Sequence, residues 1–113
     1  MDTHGKHLIL DIWLEEEIEF LKLKNIIANL LLRHKQMIVG FSSWDFYPGG
    51  NSAVFLLAAS HASIHTYPEH KYLSFDLYSC DKKLDIKRFK IDILKEMKCI
   101  NKSQSKILLR GYK

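Results

Sequence analysis

Apolar positions recur along this chain with two different periods, and the switches between them mark out the secondary structure. His7 to Trp13 (HLILDIW) is an apolar run broken only by Asp11, which predicts a largely buried β-strand. From Glu15 to about Lys35, the spacing of Ile18, Leu21, Ile26 and Leu30 predicts one amphipathic helix. Acids stand in its first turn and Arg33, His34 and Lys35 in its last, as the helix dipole favours. Met37 to Phe46 (MIVGFSSWDF) is strand-like and ends at the turn signal Tyr47 to Asn51 (YPGGN), so a hairpin follows. Three further strands are predicted at SAVFLLAAS from Ser52, SIHTY from Ser63 and YLSFDLYSC from Tyr72, with Pro68 interrupting between the last two. Ile86, Phe89, Ile93 and Met97 predict a second helix from Asp85 to about Lys98, and KILLRGY near the end a last short strand.

This order of elements predicts an α+β two-layer sandwich: an antiparallel or mixed sheet with two helices on one face. The other face is then polar or covered by a second copy, and AVFLLAA, apolar on both sides, favours a homodimer. The length of 113 residues suits a single domain spanning 1–113 with one core. At 47% hydrophobic and 27% charged, the composition is that of a globular protein and excludes disorder. No apolar run approaches the roughly 20 residues a bilayer needs, and the HLILDIW start lacks the features of a signal peptide. A cytoplasmic location is the expectation, with Cys80 and Cys99 as free thiols. Charge is uneven: residues 81–113 carry 11 basic and 4 acidic side chains, residues 1–80 carry 6 and 9. A basic tail can meet nucleic acid, but lysines spaced through an amphipathic segment face water by default, so no nucleic-acid partner is expected.

The chemistry concentrates in Ala59 to His70 (ASHASIHTYPEH). Residues four apart on a strand, such as His61 and His65, are about 13 Å apart, too far to share a zinc ion, so no metal site is expected. A serine hydrolase built on Ser60, His65 and Asp76 lacks the G-x-S-x-G elbow. Taken alone, Ser60, His61 and Ser63 read as the polar face of a strand.

The whole block resembles the self-cleavage signature of the small prokaryotic S-adenosylmethionine decarboxylase proenzymes, Glu-Ser-His-x-[Ser/Thr]-Ile-His-Thr-Trp-Pro-Glu. HGKHLILDIW is similar to the family's amino-terminal strand, FYPGGNSAV to its Pro-x-Gly-x-Ser segment and FDLYSC to its Asp-[Leu/Val]-[Phe/Tyr]-[Thr/Ser]-Cys. The resemblance implies cleavage between Ala59 and Ser60 into a β chain of residues 1–59 and an α chain of residues 60–113 that begins with a pyruvoyl group derived from Ser60. By the same resemblance, His65 removes the Ser60 Cα proton, Ser52 helps to hold the oxyanion and Cys80 is the proton donor in decarboxylation. The pyruvoyl ketone would form a Schiff base with the amine of S-adenosylmethionine and accept the electrons left by carbon dioxide. Phe46 matches the ring that packs on adenine, Glu69 the acid that takes the ribose hydroxyls, and Tyr67 replaces the tryptophan. The product would serve spermidine synthesis as its aminopropyl donor.

Ala59 stands where the family has glutamate, and Asn51 and Asp81 where it has small residues. The same pyruvoyl machinery serves arginine and ornithine decarboxylases, and an uncut homologue that only binds a partner is the other reading left open. Ser60 and His65 have opposite parity in a regular strand, so their cooperation predicts a bend or bulge between them.

Overall fold

The computed structural model describes residues 2–98 and 100–113; Cys99, read above as a free thiol, lies outside them. The elements run β1 (Gly5–Leu14), α1 (Phe20–Arg33), β2 (Ile38–Asp45), β3 (Asn51–Leu57), β4 (Ser60–Tyr67), a 3-10 turn (Pro68–His70), β5 (Tyr72–Ser79), α2 (Ile86–Glu96) and β6 (Ile100–Arg110). The strands form one sheet in the order β2-β3-β4-β5-β1-β6. Every pairing in it is antiparallel.

Alternation along the central strands builds the core. Leu8, Leu10 and Ile12 of β1, Phe55 and Leu57 of β3, Ala62 and Ile64 of β4, and Leu73, Phe75 and Leu77 of β5 point to one face. Leu23, Ile27, Leu30 and Leu31 of α1 and Ile86, Phe89 and Ile93 of α2 close over them in a single cluster. Each large side chain buried this way contributes roughly 1.5–3 kcal/mol. Phe75 stacks on Phe89 with centroids 5.9 Å apart and so joins β5 to α2. The predicted two-layer α+β arrangement, with both helices on one face, is the one observed.

The opposite sheet face is open. It carries Ser52, Val54 and Leu56 of β3, His61, Ser63 and His65 of β4, Ser74, Asp76 and Tyr78 of β5, and His7, Ile9 and Asp11 of β1, which face one another in cross-strand register.

Three boundaries differ from expectation. Helix α1 begins at Phe20 and not Glu15, with no acid in its first turn and no side-chain cap from Glu19. Strand β1 continues to Leu14, so the residues that follow cross from the sheet to the helical layer, where Ile18 packs on the core. The strand expected from Ser52 to Ser60 ends at Leu57, because Ala58 and Ala59 form a two-residue turn, and the strand expected from Ser63 begins at Ser60. Strand β6 has 11 residues, well beyond KILLRGY, and pairs with β1 alone. As an exposed edge it needs no apolar alternation, and Lys102 to Lys106 show none.

Candidate active site

The Ala59–Ser60 peptide bond lies at the exit of the β3–β4 turn. Ala59 is exposed, and Leu57 pairs with Ser60 across the hairpin. On its other side Ser60 pairs with Ser79, which carries Cys80 alongside Ala59. The Cys80 backbone N–H donates to the Ala59 carbonyl at 3.3 Å. That donor sits where negative charge develops on the carbonyl oxygen if a nucleophile adds to its carbon. The Ser60 hydroxyl is buried and has no hydrogen-bond partner among the described residues. A buried hydroxyl left unpaired costs about 1–3 kcal/mol, and no base among the described residues of the same protomer stands within hydrogen-bond reach of it.

A cleft of about 220 Å³ opens beside this turn, lined by His4, Gly5, Lys6, Ser79, Cys80, Asp81, Lys82 and Tyr112. Cys80 is exposed, and its Sγ lies 3.5 Å from the Tyr78 hydroxyl. The loop after Cys80 is pinned: Asp81 accepts from the Lys83 N–H at 2.9 Å and from the buried Gln36 amide at 3.0 Å. These two donors, the Lys83 amide foremost, hold the Asp81 carboxyl below the usual carboxylate range.

His65 is at the other end of the strand. The pairing of β4 with β3 and β5 runs without a register shift, so the bend or bulge expected between Ser60 and His65 is not there. Five residues of regular strand separate them by about 16 Å, and their opposite parity puts His65 on the open face while Ser60 shares the helix-covered face with Ala62 and Ile64. Within one protomer His65 therefore does not reach the Ser60 Cα. Its partner is Ser52, directly across the β3–β4 ladder, with Ser52 Oγ 2.7 Å from His65 Nδ1. Ser52 is correspondingly remote from the Ala59 carbonyl of its own protomer, whose neighbouring donor is the Cys80 amide.

The Ser52–His65 end holds the remaining expected residues. Phe46, Gly49, His65, Thr66, Tyr67 and Glu69 line a second cleft, of about 200 Å³. The Phe46 N–H donates to the Gly50 carbonyl at 2.8 Å and closes the turn that presents its ring. Gly50 has φ 105°, and a Cβ there would stand 2.9 Å from the Thr66 carbonyl oxygen, so this turn requires glycine. Tyr67 stacks on Tyr72, and Tyr72 lies tilted against Trp13, in a ladder across three strands. Tyr72 donates to Asp11 at 2.6 Å, and burial, then that carboxylate, pushes its phenol up to about 12.

The sites expected from the sequence thus separate into a cutting end (Ala59, Ser60, Cys80) and a His65 end (Ser52, His65, Phe46, Tyr67, Glu69). Sequence reasoning missed the Cys80 amide, Gln36 and Tyr78. A β4–β5 hairpin turning at Pro68 to Lys71 already pairs Ser60 with Ser79, and that register was the available signal.

Comparison with known proteins gives the family and the fold. The family model described as S-adenosylmethionine decarboxylase matches residues 6–111. The S-adenosylmethionine decarboxylase proenzyme of Geobacillus sp. strain WCH70 is 38% identical over 85 residues, covering 71% of this chain and 67% of that protein. The proenzyme of Bacillus cytotoxicus is 33% identical over 91 residues, covering 75% of this chain and 68% of its own length. The crystal structure of the adenosylmethionine decarboxylase from Aquifex aeolicus VF5 superposes with a TM-score of 0.83 at 23% identity over all of this chain and 95% of that one, which shows the shared fold. With its motifs, its fold and its close sequence relatives in agreement, the chain belongs to the S-adenosylmethionine decarboxylase family.

Proposed function

We propose that this chain is a self-processing, pyruvoyl-dependent decarboxylase of S-adenosylmethionine that cuts itself between Ala59 and Ser60. The observation that carries the proposal is the cutting end: an exposed turn, a buried unpaired serine hydroxyl and a backbone donor on the carbonyl before it. Ser60 Oγ adds to the Ala59 carbonyl carbon, its proton passes to the departing peptide nitrogen, and an ester joins the two halves. Loss of the Ser60 Cα proton expels the Ala59 carboxylate. Water then replaces ammonia, which leaves a pyruvoyl group at the head of the α chain, residues 60–113. The glutamate absent at Ala59 is not needed for these steps, because only the backbone carbonyl of that residue reacts.

A pyruvoyl group supplies an electron sink for loss of carbon dioxide from an amino acid held through its amine. Cys80, exposed in the cleft beside the cut, donates the proton that replaces carbon dioxide. Phe46 and Glu69 take the adenine and the ribose, an apolar ring for the base and a carboxylate for two hydroxyls. The relatives' names support S-adenosylmethionine over arginine or ornithine.

His65 and Ser52 serve the cut from a second copy. Each cleft alone is smaller than the roughly 300 Å³ at which small-molecule sites begin, and the open face between them exposes Val54 and Leu56 at 45% and 54%. A homodimer packed through that face covers this apolar surface and brings the His65 end of one protomer to the cutting end of the other.

Intact mass spectrometry of freshly purified protein tests the cut, and release of labelled carbon dioxide from carboxyl-labelled S-adenosylmethionine tests the activity. The expected result is two fragments split before residue 60, the second without a free amine, with turnover abolished in Ser60→Ala. A single mass stable on incubation, or cut protein without turnover, overturns the proposal.

A further inference from the structure

Tyr78 is locked in place around its hydroxyl. Gly5 leaves the space for its ring: a Cβ there would stand 2.7 Å from both Tyr78 Cε1 and the hydroxyl oxygen. The Arg110 guanidinium lies 4.7 Å above the ring centroid, and the rings of His7 and His61 flank it, each at 5.8 Å. His7 faces Asp76 at 3.4 Å, so the groups surrounding the phenol come from β1, β4, β5 and β6. Such packing aims the hydroxyl at the Cys80 thiol, 3.5 Å away.

We infer that Tyr78 is a positioning residue for Cys80: its hydroxyl orients the thiol toward the substrate and donates to the thiolate left when the proton departs. This rests on the decarboxylase reading for Cys80 as donor, but the contact itself does not. A phenol is both donor and acceptor, so it accepts from the thiol before transfer and donates to the sulfur afterwards. The Cys80 contact, then burial, raises the Tyr78 phenol above its ordinary value against the opposing effect of Arg110.

The test uses the uncut Ser60→Ala protein, so it needs neither a pyruvoyl group nor catalysis. Iodoacetamide alkylation of Cys80 at neutral pH is followed by mass spectrometry of the peptide containing it. Adding Tyr78→Phe removes one hydrogen bond to the thiolate and is expected to slow alkylation about tenfold. Adding Gly5→Ala, which keeps the phenol but displaces it, is expected to slow it as well. In the cut enzyme Tyr78→Phe lowers kcat with KM unchanged. Alkylation rates equal to that of Ser60→Ala alone in both variants overturn the inference, whether or not the protein decarboxylates S-adenosylmethionine.

Discussion

At Ser60 the chain accepts a local loss of stability. Its hydroxyl is buried without a partner, and Leu57 and Ser79 flank it across the ladder in register that leaves no room for adjustment. Deleting an unpaired buried hydroxyl removes a desolvation cost of about 1–3 kcal/mol. Ser60→Ala is therefore expected to be more stable in urea unfolding by about 1 kcal/mol than the full-length chain before it is cut; equal or lower stability means the hydroxyl is satisfied in solution. Ser60 and Cys80 could be proposed from the sequence because the motifs that hold them are contiguous. The Cys80 amide and the Tyr78 contact were not, because both depend on which residue of β5 stands beside which residue of β4.

Between elements, the two helices are tied together by side chains that neither helix's own pattern announces. His34, the C-cap of α1, meets Asp92 of α2 at 2.8 Å and packs edge-on against Phe89, while Arg33 reaches Glu96 at 3.1 Å. His34 foremost, then the Arg88 and Arg33 charges, holds the Asp92 carboxyl below its ordinary value in the folded state. A carboxyl whose folded value is depressed adds stability above its unfolded value and loses it as pH falls through the folded one. Acid titration of the unfolding midpoint is expected to show less loss below pH 4 in Asp92→Asn than in the parent; superimposable profiles mean the contact does not form. Helix periodicity located α1 and α2 to within a turn at most ends. It misplaced the start of α1, since acids beside an apolar stripe look alike in a helix and in the loop before it. It found only the apolar end of β6, because an edge strand facing water needs no period-two pattern.

For the whole molecule, the proposed site is distributed over both ends of the sheet, and under that proposal assembly is part of the chemistry. One protomer holds nucleophile and thiol at the β3–β4 turn and the histidine about 16 Å away on the opposite face. Co-expression of Ser60→Ala with His65→Ala distinguishes a shared site from a self-contained one. In the mixed dimer the His65→Ala chain supplies Ser60 and the Ser60→Ala chain supplies His65, so the His65→Ala chain is expected to be cut only when co-expressed. Failure of complementation in a dimer that demonstrably forms sinks the shared-site proposal.

The sequence by itself determined the layers, the strand faces and the family. Those follow from local periodicity and from contiguous motifs, which need no knowledge of what packs where. Only the tertiary structure decided which members of the motif lie together. Ser60 and His65 are five residues apart in a single stretch, and nothing local forbids a bulge that would turn them toward each other. Regular hydrogen bonding to β3 on one side and β5 on the other holds β4 straight, because a bulge would disrupt both ladders at once, and so the two halves of the motif face apart.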